Sequence, residues 1–165
     1  DDSLLSAQLV EKGDEVVIAT KRGQAIRFKE ADIREMGRTA AGVRGMKLGK
    51  GDVIVGASVV HPADKDGNFL VLMSGGYGKK SKLSEYKVQK RGGSGIKTAK
   101  ITDKTGHLID GKVVYTGETE LIAITKQGQV IRTNLDEIPV LGRQTQGVRI
   151  MRPRSGDSVA SLTFL

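Results

Sequence analysis

Between Tyr86 and Lys97 the chain reads YKVQKRGGSGIK, so Lys87, Lys90, Arg91 and Lys97 surround a Gly-Gly-Ser-Gly run with no carboxylate among them. These residue types suit contact with a polyanion. Gly92, Gly93 and Gly95 lack Cβ atoms, which lets backbone N–H groups come close to phosphate oxygens. Arg91 can bond a phosphate through two parallel N–H donors, and the lysines add point charge. Contacts of this kind fix position on a duplex without reading base identity. The competing reading is a solvated turn that needs glycine for its dihedrals and lysine for solubility. Lys79, Lys80 and Lys82, after the GGYG run, form a second basic set, with a solvated strand face as its alternative.

The stretch has counterparts. MGRTAAGVRGMK and LGRQTQGVRIMR each place an arginine, a short flexible span, a glycine and then further cations. The arginines are Arg38, Arg91 and Arg143, and the later cations are Arg44 and Lys47, Lys97 and Lys100, and Arg149 and Arg152. The underlying repeat shows in the turn glycines Gly23, Gly76 and Gly128, separated by 53 and 52 positions (76 − 23 and 128 − 76). Phosphate contact explains a recurring arginine. So does blade architecture, in which an arginine caps strand carbonyls or pairs with a neighbouring blade.

Each unit predicts four strands to carry its loop. The first is Val16–Thr20, Phe69–Met73 or Leu121–Thr125, and a glycine turn of hairpin type leads to the second, Ala25–Phe28, Gly78–Ser81 or Val130–Thr133. A polar segment too short for a helix follows. The third strand is Val43–Leu48, Ile96–Ile101 or Val148–Met151, and the fourth is Val53–Val60, Leu108–Val114 or Ser158–Leu165. The N-terminal DDSLLSAQLV aligns with the fourth strands and is expected to be the last strand of a preceding blade, handed to its neighbour. The predicted organisation is a single fragment over 1–165, with that strand at 1–10 and repeats at 15–60, 68–114 and 120–165. Repeats of about fifty residues with four strands are blades, and closed propellers take about four to eight of them. Three blades form an open arc, an assembling half-disc or part of a larger disc.

Composition narrows the partner. A formal charge of +8, from 27 Lys+Arg against 19 Asp+Glu, suggests nucleic acid. The absence of tryptophan and an aromatic share of 4% argue against a base-stacking surface for single strands. The lack of cysteine excludes disulfides and thiolate metal sites and fits a reducing compartment. No apolar run approaches membrane-spanning length, and the N-terminus has no basic segment of signal-peptide type, reading as a cut from a longer chain.

The repeats resemble the C-terminal DNA-wrapping domain of DNA gyrase A and of its topoisomerase IV paralogue. QKRGGSG, Gln89 to Gly95, is similar to that family's signature box Q-R-R-G-G-K-G, with Lys90 and Ser94 standing where arginine and lysine are usual. The flanking repeats resemble the later half of the domain. The resemblance implies an all-β fold, a β-pinwheel whose blades exchange strands and wrap duplex DNA around a basic rim. It implies the remaining gyrase A domains and gyrase B as partners and a bacterial cytoplasmic, nucleoid-associated setting, while the open strand edges of three blades favour association of fragments into a dimer that mimics a full disc. The implied DNA contacts are Lys79, Lys80, Lys82, Lys87, Gln89, Lys90, Arg91, Gly92, Gly93, Gly95 and Lys97, with Arg38, Arg44, Lys47, Arg143, Arg149 and Arg152.

No catalytic set assembles. His61 and His107 fall in polar segments without a repeated acid or nucleophile, and Asp2, Asp52 and Asp157 recur as turn-formers ahead of the fourth strand. GGYGKK lacks the spacing of a P-loop. The DNA-cleaving tyrosine of the family belongs to another domain, so Tyr77, Tyr86 and Tyr115 are not assigned that role. The reading is a non-catalytic accessory domain that needs neither cofactor nor metal. An alternative is a propeller whose charge serves an acidic protein partner.

Overall fold

The computed structural model describes residues 3–165. The strands in chain order are β1 (Glu15–Thr20), β2 (Gln24–Lys29), β3 (Ile54–Val60), β4 (Asn68–Met73), β5 (Tyr77–Lys82), β6 (Ile96–Lys97), β7 (Leu108–Val114), β8 (Glu120–Thr125), β9 (Val130–Asn134), β10 (Val148–Arg149) and β11 (Val159–Phe164). They form three antiparallel sheets ordered β3-β1-β2-β6, β7-β4-β5-β10 and β11-β8-β9. The hairpins β1–β2, β4–β5 and β8–β9 turn at Gly23, Gly76 and Gly128, whose φ values of +80°, +80° and +83° favour glycine. Each polar segment folds into one 3₁₀ turn, Glu30–Asp32, Leu83–Glu85 or Leu135–Glu137.

Strand exchange is present, but the exchanged element differs from the expected one. The fourth strands stay at home: β3 pairs with β1, β7 with β4 and β11 with β8. The third strand is donated, and it goes backwards. β6 of the second repeat pairs with β2 of the first, Gln24 facing Lys97, and β10 of the third pairs with β5 of the second, Tyr77 facing Arg149. These third strands are shorter than predicted because only two residues of each meet a partner. Val43–Leu48 forms no strand, having no preceding hairpin in the described residues to receive it. The same rule leaves the third sheet with three strands.

Of the strand expected over 1–10, Asp1 and Asp2 lie outside the described residues, and residues 3–10 form no ladder. The Gln8 side-chain amide bonds to β3 instead, donating to the Ala57 carbonyl at 2.6 Å and accepting from the Val59 N–H at 3.2 Å.

The core explains why the middle repeat reads as apolar on both strand faces. Side chains alternate along β4. Phe69, Val71 and Met73 enter a cluster with Val17, Ala19 and Ala25 of the first blade. Leu70 and Leu72 enter a second cluster with Leu121, Ala123 and Leu135 of the third. All five are fully buried. β3 packs against β7, and β7 against β11, so the fourth strands converge while the donated strands lie at the opposite edges.

Candidate nucleic-acid interface

Strand donation seats the candidate loops of the second and third repeats on the blade before their own. The loop around Gln89–Gly95 runs beside β2 and residues 44–47. The Gln89 N–H donates to the Arg27 carbonyl at 2.7 Å, Gly92 N–H to Gly45 at 2.9 Å, and Lys47 N–H to Gly93 at 2.9 Å. In the third repeat, Leu141 N–H donates to Lys80 at 2.8 Å and Ile150 N–H to Gly76 at 2.8 Å. Gly92 therefore spends its N–H on backbone. Gly95 answers to packing as well. It holds φ +72°, and a Cβ there would stand 2.7 Å from the Met46 methyl and 2.8 Å from the Ala25 carbonyl carbon.

In the second and third repeats the recurring arginine is a clamp between repeats. Arg91 Nη1 donates to the Arg44 carbonyl, its Nε to the Asp32 carbonyl at 2.9 Å, and its backbone N–H to the Asp32 carboxylate at 3.2 Å. One repeat later, Arg143 Nη1 donates to the Lys97 carbonyl at 2.7 Å, and its backbone N–H reaches the Glu85 carboxylate at 3.2 Å. Arg44 and Lys97 are equivalent positions, as are Asp32 and Glu85. Of the two explanations open for this arginine, capping of neighbouring carbonyls accounts for the bonds it makes. The acidic partners Asp32 and Glu85, with Glu137, recur at the repeat spacing, a pattern legible in the sequence.

Two further residues read as contacts point inward. Lys79 is fully buried, its ammonium donating to the Gly142 and Arg143 carbonyls at 2.5 and 2.6 Å. Burial pulls its pKa down to about 8; Glu85 opposes the shift and Arg143 adds to it. Lys80 is also buried and donates to the Leu135 carbonyl at 2.7 Å. Its equivalent, Arg27, bonds Glu15 at 2.6 Å and the Leu83 carbonyl at 2.7 Å. Lys79 and Lys80 are thus seam residues rather than rim cations, because the donated chain covers β5 on that side. Their place in an apparently solvated KKSK run hid this.

The remaining cations face solvent. Lys82, Lys87, Lys90 and Lys97 are exposed, as are Arg38, Arg44, Lys47, Arg149 and Arg152, while Gln89, Gly93 and the clamp arginines are half-buried. Lys97 and Arg149 sit on the donated strands themselves, at the outer edges of successive sheets. Arg44, Lys97 and Arg149, equivalent in the three repeats, are all exposed, the last two on outer sheet edges. Beneath the first seam Tyr86 is buried and donates or accepts a hydrogen bond with Thr98 at 2.5 Å; burial pushes its phenol up to about 12. His61 lies 3.0 Å from the Asp14 carboxylate, a local pair.

Antiparallel blades set side by side around converging strands, with the next repeat's strand completing the first and second sheets, define a propeller-class architecture. The chain belongs to the DNA gyrase C-terminal domain, beta-propeller family, whose model matches residues 14–61, 74–114 and 119–164. It is 40% identical over 162 residues to the DNA gyrase A protein of Staphylococcus epidermidis, covering 98% of this chain and 18% of that protein. The same identity holds over 152 residues with the Staphylococcus aureus protein, of which 17% is covered. A solved DNA gyrase A C-terminal domain superposes with a TM-score of 0.86 at 28% identity, over 94% of this chain and 52% of that one. The C-terminal domain of DNA topoisomerase IV shares the fold, with a TM-score of 0.84 at 24% identity over 92% of this chain and 46% of that one.

Proposed function

We propose that this chain is a duplex-DNA binding and wrapping module of a bacterial type II topoisomerase, of the gyrase A kind, without catalytic residues of its own. It presents bent DNA for strand passage and supercoiling in a holoenzyme that includes the rest of gyrase A together with gyrase B. One observation carries the reading: exposed cations recur with the repeat along one set of sheet edges, in a chain of the gyrase C-terminal family. A stiff polyanion following that curve meets an equivalent group at each blade. The contacts are to phosphate, and the mechanism is neutralisation plus tolerated bending with little base readout.

Lys82, Lys87, Lys90, Lys97, Arg44, Lys47, Arg149 and Arg152, with Arg38 beyond the first seam, are the proposed phosphate contacts. Arg91, Arg143, Lys79 and Lys80 hold the blades that present them. The test is duplex binding as a function of salt, for which log K falls with a slope of about −0.9 per phosphate neutralised. A steep slope, with a linking-number shift when nicked plasmid is ligated on the protein, is the expected result. Binding that is flat in salt rejects the proposal.

A further inference from the structure

We propose that Arg149 and Lys104 form a two-cation clip for a single backbone phosphate of duplex DNA, held in shape by the Tyr77 side chain at the second seam. The inference rests on the DNA-binding reading and adds a site to it. Arg149 lies on the donated strand β10, opposite Tyr77 on β5. Its guanidinium stacks on the Tyr77 ring, 4.9 Å from the centroid, and donates to the hydroxyl at 2.7 Å. Lys104 approaches the same ring from the turn before β7, its ammonium 5.5 Å from the centroid.

Two cations share one phenol ring here. Among the described residues no carboxylate stands within the 4.0 Å of an ion pair from either of them. Like charges brought together without a counter-charge repel each other, and a bound anion removes that penalty. Tyr77 itself is buried and cannot swing away, whereas both cations are exposed, so the charge is fixed but reachable. The field of this pair also holds the phenol below its ordinary pKa of 10.0, the Arg149 hydrogen bond leading. Neither other repeat has this arrangement: Gln24 and Gln129 occupy the Tyr77 position. Lys104 attracts no notice in the sequence because it lies outside the repeated loops.

The phosphate is a diester of DNA or a free anion, and the experiment separates the two. Duplex affinity is measured against salt for the natural chain, for K104A with R149A, and for Y77F, while the ring-carbon NMR signal of Tyr77 is followed during addition of duplex or of inorganic phosphate. The double variant is expected to flatten the salt slope by about 0.9, the loss of one neutralised phosphate. Y77F, which keeps the stacked ring, is expected to weaken binding less. Duplex is expected to move the Tyr77 signal and leave that of buried Tyr86 in place. A slope unchanged in the double variant, with the natural chain binding steeply, overturns the clip and leaves the wider reading standing. Movement of Tyr77 by inorganic phosphate together with an unchanged slope also overturns it, reassigning the cations to a free anion. A natural chain that binds flat in salt removes the DNA reading itself.

Discussion

Arg91 and Lys90 are neighbours with different work, and substitution separates them. Arg91→Ala leaves the Arg44 and Asp32 carbonyls to water in place of their donor, a loss of about 0.5–1.5 kcal/mol. In a chain of this size that lowers Tm by roughly 2–4 °C per kcal/mol. Lys90→Ala is expected to leave thermal stability within about 0.5 kcal/mol and to weaken duplex binding with a shallower salt slope. Thermal melts and salt titrations of the two variants check this; a shallower slope in both would return Arg91 to the phosphate contacts. Lys79 predicts a pH dependence. Its native pKa of about 8 lies below the ordinary 10.5 of the unfolded chain. Between these values the unfolded state holds the extra proton, so stability rises with pH. The contribution is complete above the unfolded value and is lost as pH falls through about 8. Subtracting urea-unfolding curves of Lys79→Met from those of the natural chain across this window measures it.

At the scale of the element, the donated strands decide the architecture although each is only two residues long. They hold because the loop before them is bonded to the neighbouring blade along its length, and because glycine alone fits the closest approach. Gly147, at φ +77°, would bring a Cβ to 2.8 Å from the Gly78 carbonyl carbon. Gly147→Ala is expected to cost more than about 1 kcal/mol through strain at positive φ and this contact. The damage is local to the second seam: amide exchange at Ile150 and Leu141 should accelerate while the amides of β1 and β2 stay protected. Uniform acceleration across all three sheets would mean that the seam is not a separate opening unit.

Across the whole molecule, β4 ties the blades into one cooperative body. Phe69 serves the core shared with the first blade and Leu70 the core shared with the third. Both are fully buried, so truncation to alanine is expected to destabilise by about 3–5 kcal/mol for Phe69 and 2–5 kcal/mol for Leu70. Each variant should melt in one transition seen equally by probes in all three blades. Two separated transitions in either would show that the blades fold as independent neighbours. The third blade lacks this double packing, since β8 buries Leu121 and Ala123 inward while Ile124 remains exposed; the first covers its outer face with a local cluster of Ile18, Ile26, Phe28 and Met46.

The repeat, the hairpins and the all-β class are legible in the residues alone, because all three depend on local chemistry. Glycines at fixed spacing mark the turns, and apolar runs of strand length lie between them. The sequence also set the sign of the charge and the loops that carry it, and the gyrase resemblance followed from those loops. It could not determine which strand is exchanged, because donation is a choice of hydrogen-bond partner made between segments far apart in the chain. That choice decided the fate of each cation. Lys79, Lys80 and Lys82 look alike in a row, yet only Lys82 escapes the chain laid over β5 by the third repeat. Arg91 reads as a free phosphate contact until the carbonyls of the preceding repeat are brought beneath it. Lys104 and Arg149, which have no relation in the sequence, meet on one tyrosine ring. Charge is written residue by residue, but whether it faces solvent or a neighbouring carbonyl is settled only when the blades pack.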